Sequence, residues 1–368
     1  MKKVLRVSLA VVLMFGVAMV GTATRLWAAD PMPASVQTSG FLDVYYSYNT
    51  NDPPSRFNGG SNFDFRHDNF SVSLAELVFQ KTPDPVGFRI DLNFGETTDW
   101  VHCGASFCNG ITSSEEPYRH VQQAYFSWVG PGIGFDIGKM TTHMGAEVIE
   151  SKDNWNYTRG LLFAWAIPYY HAGIKMSLPV SDQVYINGYI YNGWNNVVDS
   201  GDTKTYGVQI GLKPTEKFSA LLNWIGPEDG LSGGLDRHVY EAIATLNVNN
   251  NLAFMVDYNY GRQDGPAGED QTYNGVAVYG RWASSTEPCA VALRYEWTDD
   301  EDNLMYGTGT SPKVQEVTVT GEHKVAKNLL VRLEYRHDTS NKEIFEEEGA
   351  PLGSETQNRV VAGLVYSF

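Results

Sequence analysis

Residues 251–261 read NLAFMVDYNYG, in which Leu252, Phe254, Val256, Tyr258 and Tyr260 alternate with Ala253, Met255, Asp257, Asn259 and Gly261. A period of two puts one set on each face of an extended strand. The pattern recurs at 86–95, where Phe88, Ile90, Leu92 and Phe94 alternate with Arg89, Asp91 and Asn93. It recurs again at 288–297, with Val291, Leu293, Tyr295 and Trp297 against Arg294 and Glu296, and at 328–338, with Leu329, Val331, Leu333 and Tyr335 against Arg332, Glu334 and Arg336. About sixteen such segments follow one another: 39–49, 68–80, 86–95, 119–129, 132–141, 170–178, 183–192, 204–212, 217–225, 237–247, 251–261, 271–282, 288–297, 314–323, 328–338 and 358–368. Most run to roughly 9 to 13 residues, the length a tilted strand needs to cross a bilayer.

A charge at every second position also suits a water-facing strand of a soluble sandwich. The connections separate the two readings, because short turns (KTPDP, GPG, PVS, KPTE, NVNN, ASSTE, KVAK) alternate with long stretches such as 50–67, 96–118, 142–169, 298–313 and 339–357. Outer-membrane barrels sort their loops in this way, short on the periplasmic side and long outside, with an even strand number. A sandwich has no reason to. The expected fold is therefore all-β, a transmembrane antiparallel β-barrel of about sixteen strands.

The chain opens with Lys2, Lys3 and Arg6, an uncharged run at 7–24 and small residues up to Ala29. This is the pattern of a secretory signal, residues 1–29, cut between about Ala23 and Ala29; eighteen apolar residues could also anchor as a helix. Residues 30–368 would then form one barrel domain. Loss of the signal leaves 23 Lys plus Arg against 43 Asp plus Glu, a net charge of −20. Such acidity argues against a nucleic-acid partner, which needs clustered cations. Mean hydropathy is negative while aromatics make up 13% of the chain, as when only alternate strand residues meet lipid. Cys103 and Cys108 are spaced for a local disulfide in an oxidising envelope, and Cys289 stands alone. A metal or haem site is the rival reading, but no C-x-x-C-H or second ligand pair lies nearby, so no cofactor is expected.

The longest interval between strands, His143 to Tyr169, reads HMGAEVIESKDNWNYTRGLLFAWAIPY and carries Glu147, Glu150 and Asp153 with Trp155, Tyr157 and Trp165. We expect it to fold into the bore as a constriction loop, 142–169. With its flanks it forms GKMTTHMGAEVIESKDNWNYTRGLLFAWAIPYYHAGIKM, in which Gly138, Lys139, Gly145, Glu147, Asn154, Asn156, Tyr157, Arg159, Pro168, His171 and Gly173 resemble the central signature of the putative β-barrel porin-2 family, the OmpL-like porins. The resemblance implies a channel in the outer membrane of a Gram-negative bacterium, and names no solute. The last segment, NRVVAGLVYSF, ends with Phe368 in register with Tyr366, Leu364, Ala362 and Val360. Phe368 and Tyr366 so placed resemble the C-terminal assembly signal of outer-membrane proteins, which implies the barrel-assembly machinery as a partner. Lipid, lipopolysaccharide, small hydrophilic solutes and possible further copies in a homotrimer complete the expected partners. Tyr46, Tyr48, Trp100, Trp128, Trp194, Trp224, Tyr260, Trp282, Trp297 and Tyr335 fall near strand ends and suit aromatic girdles.

If the apolar sets face lipid, Arg89, Arg294, Arg332 and Arg336 point inward with Asp91, Asp257, Glu296, Glu316 and Glu334. Side chains cannot fill a barrel of about sixteen strands, so selectivity would depend on what lines its narrowest level. Two arrangements remain open: arginines facing Glu147, Glu150 and Asp153 across an eyelet, or arginines pairing with acids along the wall. The acidic runs Asp299–Asp302 and Glu346–Glu348 belong to outer loops and read as solvated faces or as divalent-cation sites between lipopolysaccharide phosphates. Two other functions compete with a porin. One is a structural barrel or sleeve for an electron-transfer complex. The other is an enzyme, which the scattered histidines and the lack of G-x-S-x-G disfavour.

Overall fold

The computed structural model describes residues 35–103, 118–199, 203–227, 236–265 and 268–368, apart from the side chain of Pro351. Residues 1–29, expected to be a secretory signal, and Cys108 lie outside the described residues. Sixteen strands close into one antiparallel barrel. They are β1 (Gln37–Asn49), β2 (Asn69–Lys81), β3 (Val86–Phe94), β4 (Val121–Gly130), β5 (Ile133–Thr141), β6 (Tyr170–Ser181), β7 (Val184–Tyr191), β8 (Thr205–Thr215), β9 (Phe218–Gly226), β10 (Arg237–Asn247), β11 (Leu252–Asp264), β12 (Asp270–Ala283), β13 (Cys289–Asp299), β14 (Lys313–Ala326), β15 (Leu329–Ser340) and β18 (Thr356–Ser367). Each pairs with its sequence neighbour, and β1 pairs with β18 to close the ring. A hairpin, β16 (Phe345–Glu347) and β17 (Ala350–Ser354), interrupts the last long loop, and a helix, α1 (Glu96–Cys103), lies in the second.

Closure satisfies the edges that an open sheet would leave bare. At the seam Gly40 N–H donates to Phe368 O at 3.1 Å and Phe368 N–H to Gly40 O at 3.0 Å. A Cβ on Gly40 would stand 2.4 Å from Glu76 O, so this strand position takes only glycine. Phe368 and Tyr366 both project outward from β18, at 63% and 45% exposure.

The period of two separates two environments. On β13, Val291, Leu293 and Tyr295 are exposed while Ala292, Arg294, Glu296 and Thr298 between them are buried. Every inward-predicted arginine and acid of β3, β11, β13, β14 and β15 keeps that side. The turns at 82–85, 131–132, 182–183, 216–217, 248–251, 284–288 and 327–328 gather at one end, here the turn end, with the first residues of β1 and the last of β18. The long connections gather at the other, the loop end. One departs from parity: 265–269 is short, because β11 and β12 continue as a tall hairpin.

The core sits inside the barrel. Phe63 of the first loop packs with Leu161, Leu162, Phe163, Ile167 and Tyr169 of the loop 142–169 against Tyr191, Ile225, Val239 and Tyr273 of the wall. Two aromatics expected in the girdles belong here instead: Trp194 is 5% exposed, and Trp100 on α1 packs against Phe65 and Trp165. Both lie just past a strand end, where the chain turns inward and the period of two no longer assigns a face.

Candidate functional site

The loop 142–169 enters the lumen with little regular structure: a 3-10 turn at Ser151–Asp153 and a π-helical turn at Leu162–Ala166. Its backbone N–H and C=O groups must find partners other than a ladder, and the charged wall residues supply them. Glu334 on β15 accepts from Tyr157 N at 2.6 Å and Thr158 N at 3.1 Å. Glu296 on β13 accepts from Leu161 N and Leu162 N, and Glu241 on β10 accepts from Gly145 N at 2.9 Å. Guanidiniums hold the carbonyls. Arg332 donates to Ser151 O and Asn154 O, Arg336 to Arg159 O, and Arg294 to Thr158 O. On β12 the Tyr273 hydroxyl donates to Ala166 O. On β1 the Asp43 carboxylate accepts from both Ser151 and Tyr157 hydroxyls.

The wall also offers bare backbone where loop side chains dock. A Cβ on Gly363 of β18 would meet the Tyr157 ring at 2.5 Å, one on Gly275 of β12 would meet Leu162 at 2.6 Å, and one on Gly207 of β8 would meet His143 at 2.6 Å. Tyr157 is 1% exposed and cannot swing aside cheaply. Gly363→Val is expected to expel the ring and break its 2.8 Å bond to Asp43, an overpacking cost of about 1–3 kcal/mol. A lowered unfolding temperature with noisier single-channel current would register it.

Three of the four arginines singled out from the sequence are therefore loop anchors. Arg294 pairs with Glu147 at 2.7 Å and with Glu316 at 2.7 Å, Arg336 with Glu316 and Asp338 at 2.8 Å each, and Arg332 with Glu322 at 2.7 Å. All three are buried, in contact with the loop, with no gap between. Arg359 on β18, which the period of two sets on the face opposite Phe368 but which was not among the site candidates, does the same for the first loop through Asp64 at 2.8 Å. Arg89 differs: its side chain is 35% exposed and its Nε bonds Asp91 at 2.9 Å.

The anchors run from β8 round to β15, with Asp43 of β1 beyond the seam, so the loop leans on that side. Opposite, between the loop and the wall of β2–β7, a chamber of about 480 Å³ remains. Glu150 and Asp153 line it, with Glu147 at its back, and Tyr125, Asp136, Lys175 and Tyr189 form the far wall. A second cavity of about 470 Å³ opens toward the turn end. The two share four residues: Glu76, Arg89, Lys152 and Asp153. Two wall residues, Glu76 and Arg89, thus lie with the Lys152–Asp153 ion pair of the loop between the two spaces. Neither Glu76 nor Lys152 stood out in the sequence.

At the loop end α1 is locked over the rim by a neutral histidine. His102 Nδ1 donates to Thr98 O at 2.9 Å, and Nε2 accepts from Lys139 Nζ at 2.7 Å. Burial, and then the adjoining ammonium, push its pKa down to about 3. Lys139 also sits 4.3 Å from the centre of the Tyr170 ring. Cys103, the last residue of α1, is disulfide-bonded, and Cys289 is a free thiol 3.1 Å from His323 Nδ1.

The architecture has counterparts of known structure. The chain is similar to an anion-selective porin from Comamonas acidovorans (14% identity, 91% of this chain and 99% of that one, TM-score 0.64). It is similar also to OmpT of Vibrio cholerae in its trimer form (13% identity, 91% and 100%, TM-score 0.61) and to the outer membrane channel DcaP of Acinetobacter baumannii (13% identity, 93% and 99%, TM-score 0.61). At such identities the likeness is one of fold. Comparison with curated proteins returns no match. A family profile, putative beta-barrel porin-2, OmpL-like, matches residues 35–368. That span is the whole barrel with its anchored loop, and the chain belongs to the putative beta-barrel porin-2, OmpL-like family of porins.

Proposed function

We propose that this porin sits in the outer membrane of a Gram-negative bacterium and passes small hydrophilic solutes by passive diffusion, without a catalytic step, along the β2–β7 side of its lumen. The observation that carries this reading is the one-sided anchoring of the inserted loop, which leaves the 480 Å³ chamber and the 470 Å³ mouth adjacent, with Glu76, Arg89, Lys152 and Asp153 lining both. Glu76, Arg89 and the Lys152–Asp153 pair line this passage with charged groups, which favours hydrophilic solutes of limited size. Copies would associate as a trimer through the outer face of β2–β4, where Phe70 and Phe126 are 85% and 71% exposed. Planar-bilayer recording with liposome swelling on sugars, amino acids and organic acids tests the reading. Discrete conductance steps and a swelling cutoff at small solutes are expected.

One feature favours the alternative of a structural barrel with a blocked lumen. Phe65, Trp100, Trp165 of the inserted loop and Tyr306 form a run of rings with neighbouring centroids 5.4 to 6.4 Å apart. An absence of conductance in the same recordings would select it.

A further inference from the structure

The turn end of β12–β15 carries cations that the loop does not use. Arg281 and Arg332 take the two oxygens of Glu322 at 3.1 and 2.7 Å, which commits that carboxylate. Lys324 follows Glu322 by two residues on β14 and so shares its lumenal side, and Lys327 stands in the next turn. Neither ammonium has a side-chain hydrogen bond or ion pair among the described residues. Both line the 470 Å³ mouth, together with Arg89 of β3 and Lys152 of the inserted loop. Arg89 engages Asp91 through Nε alone, so its two terminal nitrogens keep their donors for something else. With Lys152 paired to Asp153 and Arg89 to Asp91, Lys324 and Lys327 are the cations of this space without an ion-pair partner among the described residues, and Glu76 is its remaining side-chain acid. Part of the remaining wall is apolar, with Val78, Leu330 and Val365.

A cluster of like charge between low-dielectric walls focuses potential and concentrates counter-ions. An apolar wall beside a few charged groups is the usual make-up of a small-molecule site. We propose that the turn-end mouth is a binding site for small organic anions with one apolar face, loaded from the periplasmic side. The carboxylate would lie between Lys324 and Lys327, within reach of Arg89, and the apolar body against Leu330 and Val365. The inference rests on the water-filled route proposed above. Beyond the mouth the anion meets the Glu150 carboxyl in the chamber, so it lodges at the mouth and obstructs the passage.

Benzoate is the probe, acetate the comparator without an apolar face, and benzylammonium the comparator of opposite charge. Binding to detergent-solubilised protein is read by calorimetry, and current block is read in planar bilayers with each compound on either side. Benzoate is expected to bind about tenfold more tightly than acetate, to block from the turn end only, and to lose about tenfold in affinity in the Lys324→Gln/Lys327→Gln variant. Equal binding of benzylammonium, or benzoate affinity unchanged in that variant, would overturn the site. Lysine-dependent benzoate binding in a protein that conducts nothing would uphold the site and defeat the channel reading instead.

Discussion

Replacing Glu296 and Glu334 together by alanine is expected to raise single-channel conductance by roughly a factor of two to five and to make the current fluctuate. These two carboxylates receive four backbone amides of the inserted loop, those of Tyr157, Thr158, Leu161 and Leu162. Hydrogen bonds to a charged partner are each worth about 1.5–3 kcal/mol, and the loop has no ladder to fall back on. Loss of the carboxylates also leaves Arg294 and Arg336 with fewer acids nearby, although Glu316 still serves both. The strand pairing of β13 and β15 uses backbone groups and is untouched, so the barrel should keep its heat resistance while its lumen opens. Unchanged conductance would mean that the loop is held by packing alone.

The second large effect concerns selectivity. Arg89→Glu combined with Lys152→Glu turns a passage of two acids and two cations into one of four acids, and the ratio of cation to anion permeability should rise about tenfold in a salt gradient. Arg89 is only part-buried and Lys152 lies on the loop surface at 30% exposure, so both variants should fold. The same reversal at Arg294 tests a different thing. There a carboxylate would be placed among Glu147, Glu296 and Glu316, all buried, and destabilisation is expected in place of altered selectivity.

How much of this was legible follows from which physical rule governs each residue. The strands, their number and the closed ring came from a period of two and from loop parity, both of which the bilayer enforces residue by residue. The inward direction of Arg89, Arg294, Arg332 and Arg336 came from the same rule. Their role did not, because face says nothing about distance, and only the fold brings Ser151 O, Thr158 O and Arg159 O onto three of them. Glu76 was hidden by a bulge: the register between β1 and β2 slips at Asp43/Val44, so Ser71 and Ser73 face inward and then Leu74 and Glu76 do. A strict alternation carried on from Phe70 and Val72 would have set Glu76 in lipid. Lys152 sat between acids in a stretch without period. The wall glycines had no signal of their own, since Gly207, Gly275 and Gly363 become seats only when His143, Leu162 and Tyr157 arrive.

The loop lies inside the barrel, fastened along β8–β15 and β1, and on the proposed reading solute passes on the other side. Asn156 Nδ2 donates to Thr320 Oγ1 at 2.8 Å across 164 residues of sequence, which makes these two positions a direct reporter. In a Cys289→Ser background, Asn156→Cys with Thr320→Cys should cross-link on mild oxidation, as read by mass spectrometry of the peptide pair, and the conductance should be the same before and after. A pair that stays reduced, or a channel that closes when the link forms, would contradict the account.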